Sequence, residues 1–138
     1  MIVKGITIHN TGNGLTAREN FDLLYYNHQE HLCHYLIDES NIIRSYPESM
    51  EASHTGKGYD FGNRYTIAIE ICRSTCDDEL YMAAQNKAVS FIKELMKKYD
   101  LTIEDLYFHR DFDMSINCPH RILDIYKTKG AFINGCFI

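Results

Sequence analysis

Apolar positions along the chain fall into two rhythms, one of period two and one of helical spacing, and together they outline its elements. A strand is expected from about Ile2 to His9, with Ile6 and Ile8 on one face and Thr7 and His9 on the other. After the Gly12-Asn13-Gly14 turn, Thr16-x-x-Glu19 reads as a capping box, and Ala17, Phe21, Leu24, Tyr25 and His28 then recur at helical spacing. Strands at about Cys33–Asp38 and Asn41–Tyr46, joined by the polar pair Glu39-Ser40, form a hairpin signal. The polar, glycine-bearing stretch from Glu48 to Asn63 reads as a loop. A strand resumes at Tyr65–Cys72, where Ile67, Ile69 and Ile71 point one way and Ala68, Glu70 and Cys72 the other. Thr75 or Asp77 caps a long helix reaching about Tyr99, with a core-facing stripe of Leu80, Ala84, Ala88, Phe91, Ile92, Leu95 and Tyr99. A loop bearing His109 and Cys118 follows. Pro119 suits the first turn of a helix, and Phe132, Ile133 and Phe137 suggest a final amphipathic turn or two. The order β-α-β-β-β-α-α predicts an α/β fold, a central mixed β-sheet flanked by helices.

With 138 residues, the chain suits one domain spanning 1–138. No internal repeat or low-complexity linker divides it, and two prolines and eight glycines offer no hinge. A net charge of −5 gives no basis for capturing nucleic acid, and no apolar run approaches the ~18 residues of a membrane span. The N-terminus enters a strand pattern without a secretory signal, so a protein made in the cytoplasm is expected. Five cysteines without a CxxC pair are expected to be reduced thiols.

The chemistry concentrates in Phe108-His109-Arg110-Asp111-Phe112-Asp113 and Asn117-Cys118-Pro119-His120-Arg121, together with His9 at the end of the first strand. Two imidazoles and one thiolate make three ligands for Zn2+, leaving a fourth position open, as in a catalytic site. On residue type alone a strand histidine is more often a hydrogen-bonded core or surface residue than a ligand. Glu70 stands on a strand otherwise built of isoleucine and alanine, so it is paired, solvent-facing or functional. If it faces the metal water, it suits a general base. His28, His31 and His34 do not share one narrow helix face; His28 and His31 read as the polar end of a helix, and His34 opens a strand.

Six ordered landmarks are similar to those of a known family: Ile8-His9-Asn10-Thr11-Gly12, His34-Tyr35-Leu36-Ile37-Asp38, Ser53-His54-Thr55-Gly56, Ile67-Ala68-Ile69-Glu70-Ile71-Cys72, His109-Arg110-Asp111 and Asn117-Cys118-Pro119-His120-Arg121. Through them the chain resembles the zinc-dependent N-acetylmuramoyl-L-alanine amidases of the type-2 amidase and peptidoglycan-recognition-protein superfamily, from about Gly5 to Leu123. The resemblance is nearest to catalytic domains of phage endolysins and autolysins.

The resemblance implies His9, His109 and Cys118 as zinc ligands and Glu70 as the residue that activates water. It implies His54 as a donor to the scissile carbonyl oxygen or a substrate contact, and His34, Asn10 and Thr11 as cleft residues that bind substrate. Some relatives carry a tyrosine where this chain has Cys33, and many carry a lysine where it has Ile116, which places catalysis on the glutamate. The implied substrate is a peptidoglycan muropeptide, cut between N-acetylmuramic acid and L-alanine, with no nucleic-acid partner and no membrane insertion. The enzyme would act on the cell wall after release, as in phage-type lysis. Two alternatives remain at this point: a non-catalytic muropeptide-binding module of the same fold, and a cysteine hydrolase with Cys118 as nucleophile and His109 or His120 as base.

Overall fold

The computed structural model describes residues 1–56 and 60–138. Its centre is a five-stranded mixed sheet in the order β3-β2-β4-β1-β5. The strands are β1 (Gly5–Asn10), β2 (Tyr35–Ile37), β3 (Ile42–Arg44), β4 (Thr66–Ile71) and β5 (Leu106–Phe108). β1 runs parallel to both β4 and β5, β4 is also parallel to β2, and β2 and β3 form the antiparallel hairpin that the pattern around Glu39-Ser40 predicts.

Six helices accompany it among the described residues: α1 (Ala17–Tyr26), α2 (Phe61–Tyr65), α3 (Asp78–Lys98), α4 (His109–Phe112), α5 (His120–Tyr126) and α6 (Lys129–Phe137). The capping box at α1 forms as expected: Thr16 Oγ1 accepts from Glu19 N, while the Glu19 carboxylate accepts from Thr16 N. At α3 the cap is Asp77, whose carboxylate accepts from Leu80 N.

The alternation along β1 and β4 separates two different buried faces. Ile6, Ile8, Ile67, Ile69 and Ile71 pack with Tyr81, Ala84, Ala88 and Ile92 of α3, with Ile122 of α5 and with Phe132 of α6. The opposite face holds smaller groups, Ala68 and Cys72, which pack with Ala17, Cys33 and Leu36. Polar Thr7, His9 and Glu70 share that second face by strand alternation. One face therefore builds the core, and the other has room for a site.

The structure adds elements where the sequence rhythm is short. β5 lies inside what reads as a ligand-bearing loop, because three residues are too few to display a period. α2 begins within the expected 48–63 loop and ends at Tyr65, the first residue of the expected strand; positions 57–59 of that loop fall outside the described residues. Along α3, Ala84, Ala88, Ile92 and Leu95 of the expected stripe are buried, Leu80, Phe91 and Tyr99 only partly so, and Tyr81, Gln85 and Val89 are buried in addition. Tyr81 Oη accepts from Asn10, and Gln85 Nε2 donates to Tyr126 while its Oε1 has no partner among the described residues.

Candidate active site

Strand register brings three sequence-distant residues side by side. His9 on β1 is the Cα partner of Glu70 on β4, and Ile8 is the partner of Phe108 on β5. His109, the residue after Phe108, thus continues the β5 line beside His9, and the two imidazole centroids are 4.9 Å apart. All three lie at the carboxyl ends of parallel strands, the edge at which open α/β sheets place their sites.

Cys118 reaches this edge from a loop tied down at two points. Arg110 N donates to the Cys118 carbonyl at 3.0 Å, joining the segments that carry His109 and Cys118. Beyond it, α5 begins after Pro119, which has no side chain to cap a helix. Asn10 does that work from β1: its Oδ1 accepts from Arg121 N at 3.0 Å and Ile122 N at 3.2 Å. The residue next to His9 is thereby fastened to the helix next to Cys118.

The result is a compact donor set. One ligand atom each from His9, His109 and Cys118 lies within 4.8 Å of the others, and this group could hold a metal ion. His9 Nδ1 stands 3.6 Å from Cys118 Sγ and 4.0 Å from Glu70 Oε1. Burial, with the adjacent His54 and His109, holds His9 well below the usual imidazole range, and burial also lowers His109. Both rings are therefore neutral near pH 7, as ligation requires. Burial and the nearby Glu70 carboxylate push the Cys118 thiol up to about 12. A thiol in that state is a poor nucleophile, which counts against the cysteine-hydrolase alternative.

Glu70 is the other unusual group. Its side chain keeps 21% exposure toward the cleft, yet Oε2 is shut off from solvent with no hydrogen-bond partner among the described residues. Burial pushes its carboxyl up to about 8. Beside it opens a cavity of about 280 Å³, walled by Leu23, Leu24, Leu32 and Leu36 and edged by Thr11 and Asn13.

His54, expected to hold a substrate oxygen, is placed differently. It is 7% exposed and both ring nitrogens are engaged by the protein: Nδ1 with His9 Nε2 at 2.9 Å, and Nε2 with the Gly62 carbonyl at 3.0 Å. No nitrogen is left to meet a substrate, so its contact is with His9. His34, expected in the cleft, is fully buried; Nε2 donates to the Met50 carbonyl and Nδ1 accepts from Ala68 N. These two bonds tie Met50 to β4. The Asn10 side chain is likewise spent on Tyr81, Arg121 and Ile122, whereas Thr11 borders the cavity. His28 and His31 are exposed and separate from this cluster.

Three residues unmarked by the sequence complete the arrangement. Asn63 Oδ1 accepts from His54 N and Thr55 N, Asp60 caps α2 through Asn63 N, and Gly62 supplies the carbonyl that anchors His54. The Asp60-x-x-Asn63 cap was the one available signal, weakened by a glycine within the short helix.

Comparison with known proteins adds independent findings. Residues 1–121 match the Amidase_2 family, described as N-acetylmuramoyl-L-alanine amidase. The chain is 35% identical over 124 residues to the amidase CwlA of Bacillus subtilis (strain 168), covering 89% of this chain and 45% of that protein. It is 36% identical to the amidase XlyB of the same organism, covering 89% of this chain and 39% of XlyB. It thus spans less than half the length of these two relatives. Among solved structures, PlyL superposes with a TM-score of 0.89 at 34% identity, covering 99% of this chain and 84% of that one. The catalytic domain of XlyA gives 0.81 at 28% identity, covering 92% and 83%.

Proposed function

Because the chain belongs to the N-acetylmuramoyl-L-alanine amidase family, we propose that it is a zinc-dependent hydrolase of the amide between N-acetylmuramic acid and L-alanine in peptidoglycan. The observation that carries this reading is the donor set of His9, His109 and Cys118 with the Glu70 carboxylate against it. The set fits the ion. Zn–N near 2.1 Å and Zn–S near 2.3 Å in a tetrahedron separate those donors by roughly 3.6 Å. His9 Nδ1 and Cys118 Sγ are 3.6 Å apart. The ligands are two neutral imidazoles and a thiol, a combination typical of zinc, and three ligands leave a fourth position for chemistry.

Zinc bound there supplies a Lewis acid for the scissile carbonyl and lowers the pKa of its water toward ~7. Glu70 does the proton work. Its cleft-facing side chain, with Oε1 4.0 Å from His9 Nδ1, suits it to accept a proton from the attacking water and to return it to the leaving alanine nitrogen. A cation held by His9, His109 and Cys118 would offset the high pKa that burial gives this carboxyl and favour the ionised base near neutral pH. The cavity beside Glu70, leucine-walled on one side and edged by Thr11 and Asn13, would accommodate substrate next to the reacting bond. With His54 turned to His9, and Ile116 where many relatives carry lysine, stabilisation of the oxyanion would fall to an ion held by His9, His109 and Cys118.

No helix among the described residues is long and apolar enough to cross a membrane, and the proposed place of action is the cell wall. The test is digestion of purified Gram-positive peptidoglycan, scoring new N-terminal L-alanine against new reducing sugar ends, with chelated and zinc-restored controls. Zinc-dependent L-alanine termini without reducing ends are expected. Muropeptide binding with no new termini in zinc-replete buffer would overturn the proposal in favour of a recognition module.

A further inference from the structure

We propose that His54 is a positioning residue that sets the ring tautomer of His9 through a relay ending on the Gly62 carbonyl. The inference rests on the reading of His9 as a metal ligand and assigns which of its nitrogens does the ligating.

The polarity of the relay follows from its terminus. A carbonyl only accepts, so the His54 nitrogen 3.0 Å from Gly62 O must carry a proton. A neutral imidazole has one N–H, and burial disfavours a charged ring at His54, whose two nitrogens both meet uncharged partners. With Nε2 protonated, His54 Nδ1 is a lone pair, and it faces His9 Nε2 at 2.9 Å. His9 must then carry its own proton on Nε2 and donate it. The remaining lone pair of His9 is on Nδ1, the nitrogen 3.6 Å from Cys118 Sγ. The alternative tautomer would aim an N–H at the metal position and face two lone pairs at each other inside the protein.

The relay is anchored against reversal. Thr66 Oγ1 donates to the same Gly62 carbonyl at 2.7 Å. Its proton thus spent, Thr66 can only accept from Thr7 Oγ1, 2.7 Å away on the neighbouring strand. Thr7, Thr66 and Asn63 are all buried, so no solvent competes. The His54 main chain is clamped by Asn63 Oδ1. The strand alternation that carries His9 to the cleft face therefore also places Thr7, two residues earlier, on the brace. Orienting partners of this kind, behind a ligand, tune metal affinity by about 10–100-fold.

Two measurements test the proposal. Long-range ¹H–¹⁵N correlation spectra of the metal-free 138-residue protein report which nitrogen of each imidazole is protonated. Protons on Nε2 of both His9 and His54 are expected, and a proton on His9 Nδ1 overturns the relay. Zinc competition against a chelating dye is then compared among wild type, His54→Leu and His54→Asn. Asparagine can return an oxygen acceptor near the Nδ1 position; leucine cannot. Leucine should weaken zinc binding by about 10–100-fold and asparagine should recover most of it. A folded leucine variant that binds zinc as tightly as wild type sinks the idea. Should that variant not fold, the wild-type spectra still decide. A wild-type protein that binds no zinc would instead remove the ligand reading, an outcome distinct from a failed relay.

Discussion

Replacing Glu70 by glutamine in the metal-free protein isolates the cost of burying its charge. The carboxyl titrates near 4.5 without its surroundings and is pushed by burial up to about 8 in the folded chain. Between those values the folded state holds a proton that the unfolded state has released, so folding stability falls as pH rises from about 4.5 to about 8. At 1.36 kcal/mol per pH unit the ceiling is roughly 5 kcal/mol, and residual solvent access lowers the realistic effect to about 2–3 kcal/mol. That access is the 21% of the side chain still open to the cleft. The wild-type curve alone would not reveal this, because burial lowers His9, His34, His54 and His109 and imposes the opposite slope below about pH 6.5. The difference between variant and wild type cancels the histidines. Urea denaturation at pH 5, 6, 7 and 8 in chelator should show Glu70→Gln nearly matching wild type at pH 5 and exceeding it by about 2–3 kcal/mol at pH 8. Parallel curves across the whole range would refute the claim that Glu70 is buried without compensation.

Cys118→Ser should lose more zinc affinity than the 10–100-fold typical of outer-shell changes, since it removes one of the three proposed ligands, and equilibrium dialysis against zinc checks this. Phe132→Ala should cost about 3–5 kcal/mol in denaturant melts, because this fully buried ring packs on Phe108 and Tyr126 and makes α6 part of the core. Gly62→Ala would set a Cβ 2.6 Å from Thr55 Cγ2, and should destabilise by about 1–3 kcal/mol by thermal melting, with weaker zinc binding as His54 shifts.

The faces of β1 and β4 were legible in the chain because both sides of the strands are buried against different surroundings. Isoleucines meet α3 on one side, while small and polar residues line the other. Capping at Thr16 and the hairpin around Glu39-Ser40 were also readable, being local chemistry. The pairing of His9 with Glu70 was not, because register between strands sixty residues apart leaves no local mark. β5 escaped notice for its shortness. Asn10 and His54 illustrate a harder limit. Each sits in a motif that points to the cleft, yet each directs its polar atoms to backbone groups supplied elsewhere, Asn10 to the start of α5 and His54 to Gly62. Residue type announces that a polar side chain needs a partner; only the fold says which partner it finds.

The metal-free site is therefore a concentration of unmet demands. Neutral histidines are held far from their preferred titration range, a thiol is kept protonated, and a carboxylate oxygen is buried with nothing to accept from. Each would be relieved by a divalent cation at one point: imidazole lone pairs gain an acceptor, the thiol ionises, and the Glu70 charge gains a neighbour of opposite sign. Groups on three adjacent strand ends and one clamped loop would not carry this cost together unless the arrangement served a common centre. The same accounting makes a directional claim. Zinc should stabilise wild type more than Glu70→Gln at pH 8, because only the wild-type protein has a buried charge for the cation to offset. Equal stabilisation of the two proteins by saturating zinc would mean that Glu70 does not feel the ion, and would detach it from the centre that the register builds around it.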